Sequence, residues 1–175
     1  MGSIDSSRYS RDNENVELFT NYDVGSSWLA AGLLGYQRNL ELSIARRFQE
    51  MLGAGNKLFV RETWQLRLLS GLAFNQEKST AGISSGTLLE IPVMLRFDFF
   101  KYTHPNIQIT TSHAGFFSIT EKGRFRYGGN TAFSWEIVHD FYVTLNLYTN
   151  YDSKPPATSA SNTDYGIVMG ITYKF

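Results

Sequence analysis

Seven charged side chains recur at strand positions that point away from the apolar residues around them: Arg67, Glu90, Arg96, Asp98, Arg124, Arg126 and Glu136. Four guanidiniums and three carboxylates facing one another can pair into a network that fills and stiffens an enclosed space. Unpaired charge away from bulk water is costly, so pairing is the expected arrangement. The same residues could instead line a constriction that selects small solutes or ions. A second group could do acyl chemistry. Thr111 and His113 stand at i and i+2, on one face of a strand. A hydrolytic triad also needs a group that orients the histidine. The matching face of the following strand offers Phe125, Tyr127, Gly129, Thr131, Phe133, Trp135 and Ile137, without a carboxylate. Ser112 and Glu136 point the other way. His104, His113 and His139 are scattered, and His104 and His139 fall in short turns. Nothing has metal-ligand spacing, so neither a metal nor a cofactor is expected. Gly128-Gly129 lies within a strand with no helix after it, so it is read as relief of crowding or a bend rather than a phosphate loop.

The elements that must carry these residues are strands. In DYGIVMGITYKF at 164–175, Tyr165, Ile167, Met169, Ile171, Tyr173 and Phe175 alternate with small or polar residues, which is the period of a strand with one apolar face. The pattern recurs upstream. Trp64, Leu66, Leu68, Leu72 and Phe74 share a face; so do Leu89, Ile91, Val93, Leu95, Phe97 and Phe99. Ile107, Ile109, Phe117 and Ile119, then Phe125 to Ile137, then Phe141 to Tyr151 repeat it. Earlier strands are expected at 3–10, 16–23 and 28–37. Residues 40–60 read either as a helix over 41–52 broken at Gly53 and Gly55 or, preferred, as one long strand with a bulge near Arg46, because a bulge changes the face each residue takes. The count is about ten.

Connections at 75–87 and 152–163 are long, and fall at one end of the strand array. The turns near 61–63, 102–105 and 138–140 are short and fall at the other, although 38–39 and 120–123 at the long-loop end are short too. That is the layout of a membrane-spanning barrel. Pro155 and Pro156 stiffen the second long loop. A soluble barrel would turn its apolar face inward. Three features favour outward. The last apolar stripe covers eleven residues, about 25 Å at about 3.3 Å per residue and about 45° of tilt, the height of a lipid-facing band. Aromatic residues sit at stripe ends, as membrane-interface girdles do. The opposite face carries the seven charges.

The 175 residues suit one domain, 1–175. The longest apolar run, 28–36, has nine residues where a membrane helix needs about 20. Net charge is zero and no basic tract occurs, which argues against a nucleic-acid partner. There is no cysteine, so disulfides and thiolate metal sites are excluded. No signal peptide is visible, and Met1-Gly2-Ser3 reads as a cloning scar.

Several runs also match a family. GYQRNLELSIARRFQEMLGAGNKLF, KGRFRYGGN, and NYDSKPP followed by TDYGIVMGITYKF resemble the uncharacterised family of salt-induced outer-membrane proteins. The resemblance runs from about residue 12 to the end. Its most specific part is Tyr151, Asp152, Ser153, Pro155 and Pro156 before the closing strand. It implies an outer-membrane β-barrel with no established activity, and brings no catalytic residues to transfer. The expectation is an antiparallel up-and-down transmembrane barrel in a bacterial outer membrane, C-terminus periplasmic, without enzyme activity. Its role would be structural, or that of a small, mostly occluded, porin-like pore with a charged lumen. The expected partners are outer-membrane lipid and, through the C-terminal strand, the barrel assembly machinery. A monomer is favoured. The rival reading is a lipid-modifying enzyme of the lipid A deacylase type using His113.

Overall fold

The computed structural model describes residues 13–156 and 161–173. Nine strands follow one another: β1 (Asn13–Val24), β2 (Trp28–Asn39), β3 (Ile44–Val60), β4 (Trp64–Ser79), β5 (Leu88–Lys101), β6 (Ile107–Ser118), β7 (Phe125–Val138), β8 (Phe141–Asp152) and β9 (Thr163–Tyr173). Each pairs antiparallel with its chain neighbour, in the order β1 to β9. The fold is therefore an all-β, up-and-down sheet curled into a half-barrel. The expected strand at 3–10 lies outside the described residues.

The strand expected over 40–60 begins only at Ile44, and 40–43 is a turn. The chain turns at 40–43 with Ser43 at φ 55, then runs as β3, whose register against β4 shifts between Ile44 and Arg46. That bulge sends Arg46 outward and Arg47 inward. One expectation needs correction: residues 75–79 are not loop. β4 continues to Ser79, and odd-numbered Asn75, Glu77 and Ser79 extend its inner face. Beyond it the chain still turns, so the long connection shortens to 80–87.

Connections 25–27, 61–63, 102–106 and 139–140 lie at one end; 40–43, 80–87, 119–124 and 153–162 lie at the other. The outer face carries the large apolar side chains. Leu18 is 64% exposed, Leu52 75% and Met169 77%. It is not uniformly apolar, for Glu50 stands between Phe48 and Leu52 on β3.

Inside the curl, Leu33, Met51, Ala73 and Phe116 pack with Phe19, Met94 and Ala114, and Leu29, Ala31 and Leu69 form an adjoining group. Small residues let the inner layer draw together. Gly53 pairs with Gly71 across β3 and β4, and a Cβ on either would collide with backbone of the other strand. Leu42, buried in the β2–β3 turn, folds in at the long-loop end.

Candidate functional site

The inner charges separate into two groups, set by where each strand position falls along the half-barrel. At the long-loop end, Arg47 and Arg124 alternate with Glu77 and Asp152. Arg47 Nε donates to Glu77 at 2.8 Å, and its guanidinium reaches Asp152 at 3.3 Å. Arg124 donates to Asp152 at 2.6 Å and to Glu77 at 2.9 Å. The four side chains come from β3, β4, the loop before β7, and β8. They span the interior and tie opposite walls together. All four are almost fully buried. Burial works against the Arg124 charge, but the hydrogen bond to Asp152 and the neighbouring Glu77 carboxylate outweigh it and hold its pKa above the ordinary arginine value.

Beside this ring, Arg126 pairs with Glu90, and Asn75 donates to the same carboxylate. Arg126 also donates to Gln49 and lies 4.6 Å over the Phe116 ring. Asn39 at the end of β2 donates to Asp164 of β9 at 2.8 Å. The sheet is thus curled far enough for its second and last strands to touch. Three arginines (47, 124, 126) meet Glu77, Glu90 and Asp152 in the interior, and Arg124 also reaches Glu121 at 3.1 Å.

The second group lies nearer the short-turn end. Asp98 accepts from Arg67 at 2.7 Å, from Arg96 at 3.1 Å and from Thr110 at 3.0 Å. The apolar cluster separates the groups. Along β4 the inner residues run Arg67, Leu69, Ala73, Asn75, Glu77; along β5 they run Glu90, Met94, Arg96, Asp98. A cavity of about 400 Å³ remains, lined by Glu17, Gln37, Gln49, Arg126, Tyr148 and Asn150 among others.

The structure thus distributes the seven expected charges over three places. Arg67 and Arg96 join Asp98, Arg126 joins Glu90, and Arg124 joins Glu77 and Asp152. Glu136 is buried on the inner side of β7 but belongs to neither group. Its carboxylate accepts backbone N–H groups of Asn106 and Asp140 at the short-turn rim, with His104 alongside. Arg47, Glu77 and Asp152 are the partners that sequence reasoning missed. Glu77 lies beyond the last apolar residue of its strand, the β3 bulge hides the face of Arg47, and Asp152 closes a strand at its boundary with a loop.

His113 faces outward. Its Nδ1 lies 2.6 Å from the Tyr127 hydroxyl and its Nε2 3.1 Å from Thr111, which contacts Thr131 at 2.8 Å. Gly129 lies beneath: a Cβ there would be 2.9 Å from the Tyr127 hydroxyl and 3.1 Å from His113. Both imidazole nitrogens are occupied by hydroxyls, and none of these partners is a carboxylate. Tyr165, Ile167, Met169, Ile171 and Tyr173 share the outer face of β9 and are all exposed. Phe175, expected to complete that signal, lies outside the described residues.

A family model described as a protein of unknown function, DUF481, matches residues 4–175. The chain belongs to this family. It is the uncharacterised family to which the sequence motifs pointed, and the β-rich half-barrel is consistent with the barrel character it implies. No curated protein and no solved structure matches. Membership in DUF481 brings no assigned activity, so function rests on the placement of side chains.

Proposed function

We propose that this DUF481 protein is a β-barrel of the bacterial outer membrane with a structural role in the envelope, no catalytic activity and a lumen closed to solutes. The observation that carries the reading is an inside-out distribution. Every strand exposes large apolar side chains on the outer face, interrupted by Glu50 on β3 and by Thr111, His113 and Thr131 on β6 and β7, while Arg47, Glu77, Glu90, Arg124, Arg126 and Asp152 are buried within. An apolar surface of this extent suits lipid better than water. Outer-membrane lipid is then the main partner, and the exposed apolar face of β9 is the surface offered to the barrel assembly machinery. The short turns and the C-terminus face the periplasm, and the protein is a monomer. Closure belongs to the same proposal. β1 and β9 both run away from the long-loop end, so one further strand, antiparallel to both, would complete an even-numbered barrel. Residues 3–10 are the candidate read from sequence.

Two features support a closed lumen over a pore. The apolar cluster of Leu33, Met51, Ala73 and Phe116 lies across the interior, and the arginines above and below it, Arg47, Arg124, Arg126, Arg67 and Arg96, all have carboxylate partners. The cavity of about 400 Å³ is the feature that favours the rival, a small occluded pore. Planar-bilayer recording separates them. The purified protein should give no steady single-channel conductance. A reproducible conductance that falls on neutralising Arg96 or Arg126 would establish the pore instead.

A further inference from the structure

Two turns converge on Glu136 at the short-turn rim. His104, in the β5–β6 turn, holds Nδ1 3.4 Å from one carboxylate oxygen. His139, in the β7–β8 turn, holds Nδ1 3.9 Å from the other, and its Nε2 lies 3.5 Å from Asp140 Oδ2. Glu136, His139 and Asp140 can each offer one ligand atom within 4.8 Å of the others. These separations are longer than an N–H···O hydrogen bond of about 2.7–3.2 Å. The 3.4 and 3.5 Å separations match the edge of a ligand tetrahedron, and the 3.9 Å one is longer. Bonds of about 2.0–2.2 Å to a zinc-type ion set neighbouring ligand atoms about 3.2–3.5 Å apart.

The parts differ usefully in rigidity. The Glu136 side chain is 9% exposed, and the N–H groups of Asn106 and Asp140 fix it in place. The residue at the turn, Asp140, sits at φ 63, which brings its carboxylate beside His139. The His104 and His139 rings are 62% and 86% exposed, so an ion can reach them directly. A single ion can use only one nitrogen of the His139 ring, Nδ1 beside Glu136 or Nε2 beside Asp140, while His104 offers its Nδ1 at the other Glu136 oxygen.

We propose that His104, Glu136, His139 and Asp140 form a binding site for a divalent transition cation of the zinc class. Two imidazoles select zinc, copper or nickel over magnesium or calcium, which prefer sets of oxygen ligands. A bound cation would pin the β5–β6 turn to the β7–β8 turn. The site is remote from the Arg47–Arg124 ring and does not depend on where the protein resides.

Calorimetric titration of the folded, tag-free full chain with Zn²⁺ tests the proposal, with His104→Gln/His139→Gln as the comparison. Both rings are exposed, so the double variant should keep its strand signal by circular dichroism. The expected result is one zinc per chain in the natural protein. Loss of even an outer-shell partner costs about 10–100-fold in affinity, so removing both rings should weaken binding by at least about tenfold. Co²⁺ should give a visible ligand-field spectrum that the double variant lacks, and Mg²⁺ should bind no better to the natural chain than to the variant. No zinc binding by the natural chain, or equal affinity in both, would overturn the assignment.

Discussion

Arg124 is the inner side chain whose loss should be felt most. It reaches Asp152, Glu77 and Glu121 from a loop position, and is almost fully buried. Truncating it leaves two carboxylates buried beside Arg47 alone. Breaking such a buried pair costs about 3–5 kcal/mol, much of it the penalty on the charge left behind. Arg124→Ala should therefore lower the urea midpoint of the refolded protein by that equivalent, and Arg124→Lys by less. An unchanged midpoint would remove the network from any structural role. At this scale the sequence was legible where alternation was uninterrupted. Arg126 and Glu90 stand on clean strands, and inward orientation could be read from their apolar neighbours. Partner choice could not. Glu77 and Asp152 are brought to Arg124 by the curl of the sheet, from 47 and 28 residues away. His104 and His139 are 35 residues apart in sequence, and two turns adjacent in space bring both to Glu136.

The strands themselves were largely written in the sequence. Nine expected strands correspond to β1–β9, and the bulge expected near Arg46 occurs between Ile44 and Arg46. What alternation could not settle was where β4 ends, because its apolar outer face stops at Phe74 while its polar inner face continues to Ser79. Outward β9 offers a test of what the sheet faces. Met169 is 77% exposed near the middle of the strand. On a water-facing surface, Met169→Arg should change stability by no more than about 0.5 kcal/mol. At the middle of a lipid-facing band it should cost about 2–4 kcal/mol. The lipid reading predicts the larger value, measured by reversible folding into phospholipid vesicles. A change within about 0.5 kcal/mol would count against it.

At the scale of the whole molecule, the half-barrel holds its shape through contacts across its interior as well as through its ladders. Asn39–Asp164, Arg47–Asp152 and Arg126–Glu90 each join strands that are not neighbours. Those contacts bring the walls together, while β1 and β9, which run in the same direction, are not paired with one another. Exposed strand edges invite association with other chains, so a closed barrel also answers a solubility problem. The outer apolar surface makes the strongest demand. Detergent or lipid must cover Leu18, Leu52, Ile167 and Met169, or the protein must associate to hide them. The most direct measurement is the state of the purified full chain in aqueous buffer against detergent, by size-exclusion chromatography with light scattering and circular dichroism. The account predicts a folded monomer in micelles and aggregation when detergent is removed. A folded, monodisperse monomer in plain buffer would contradict it.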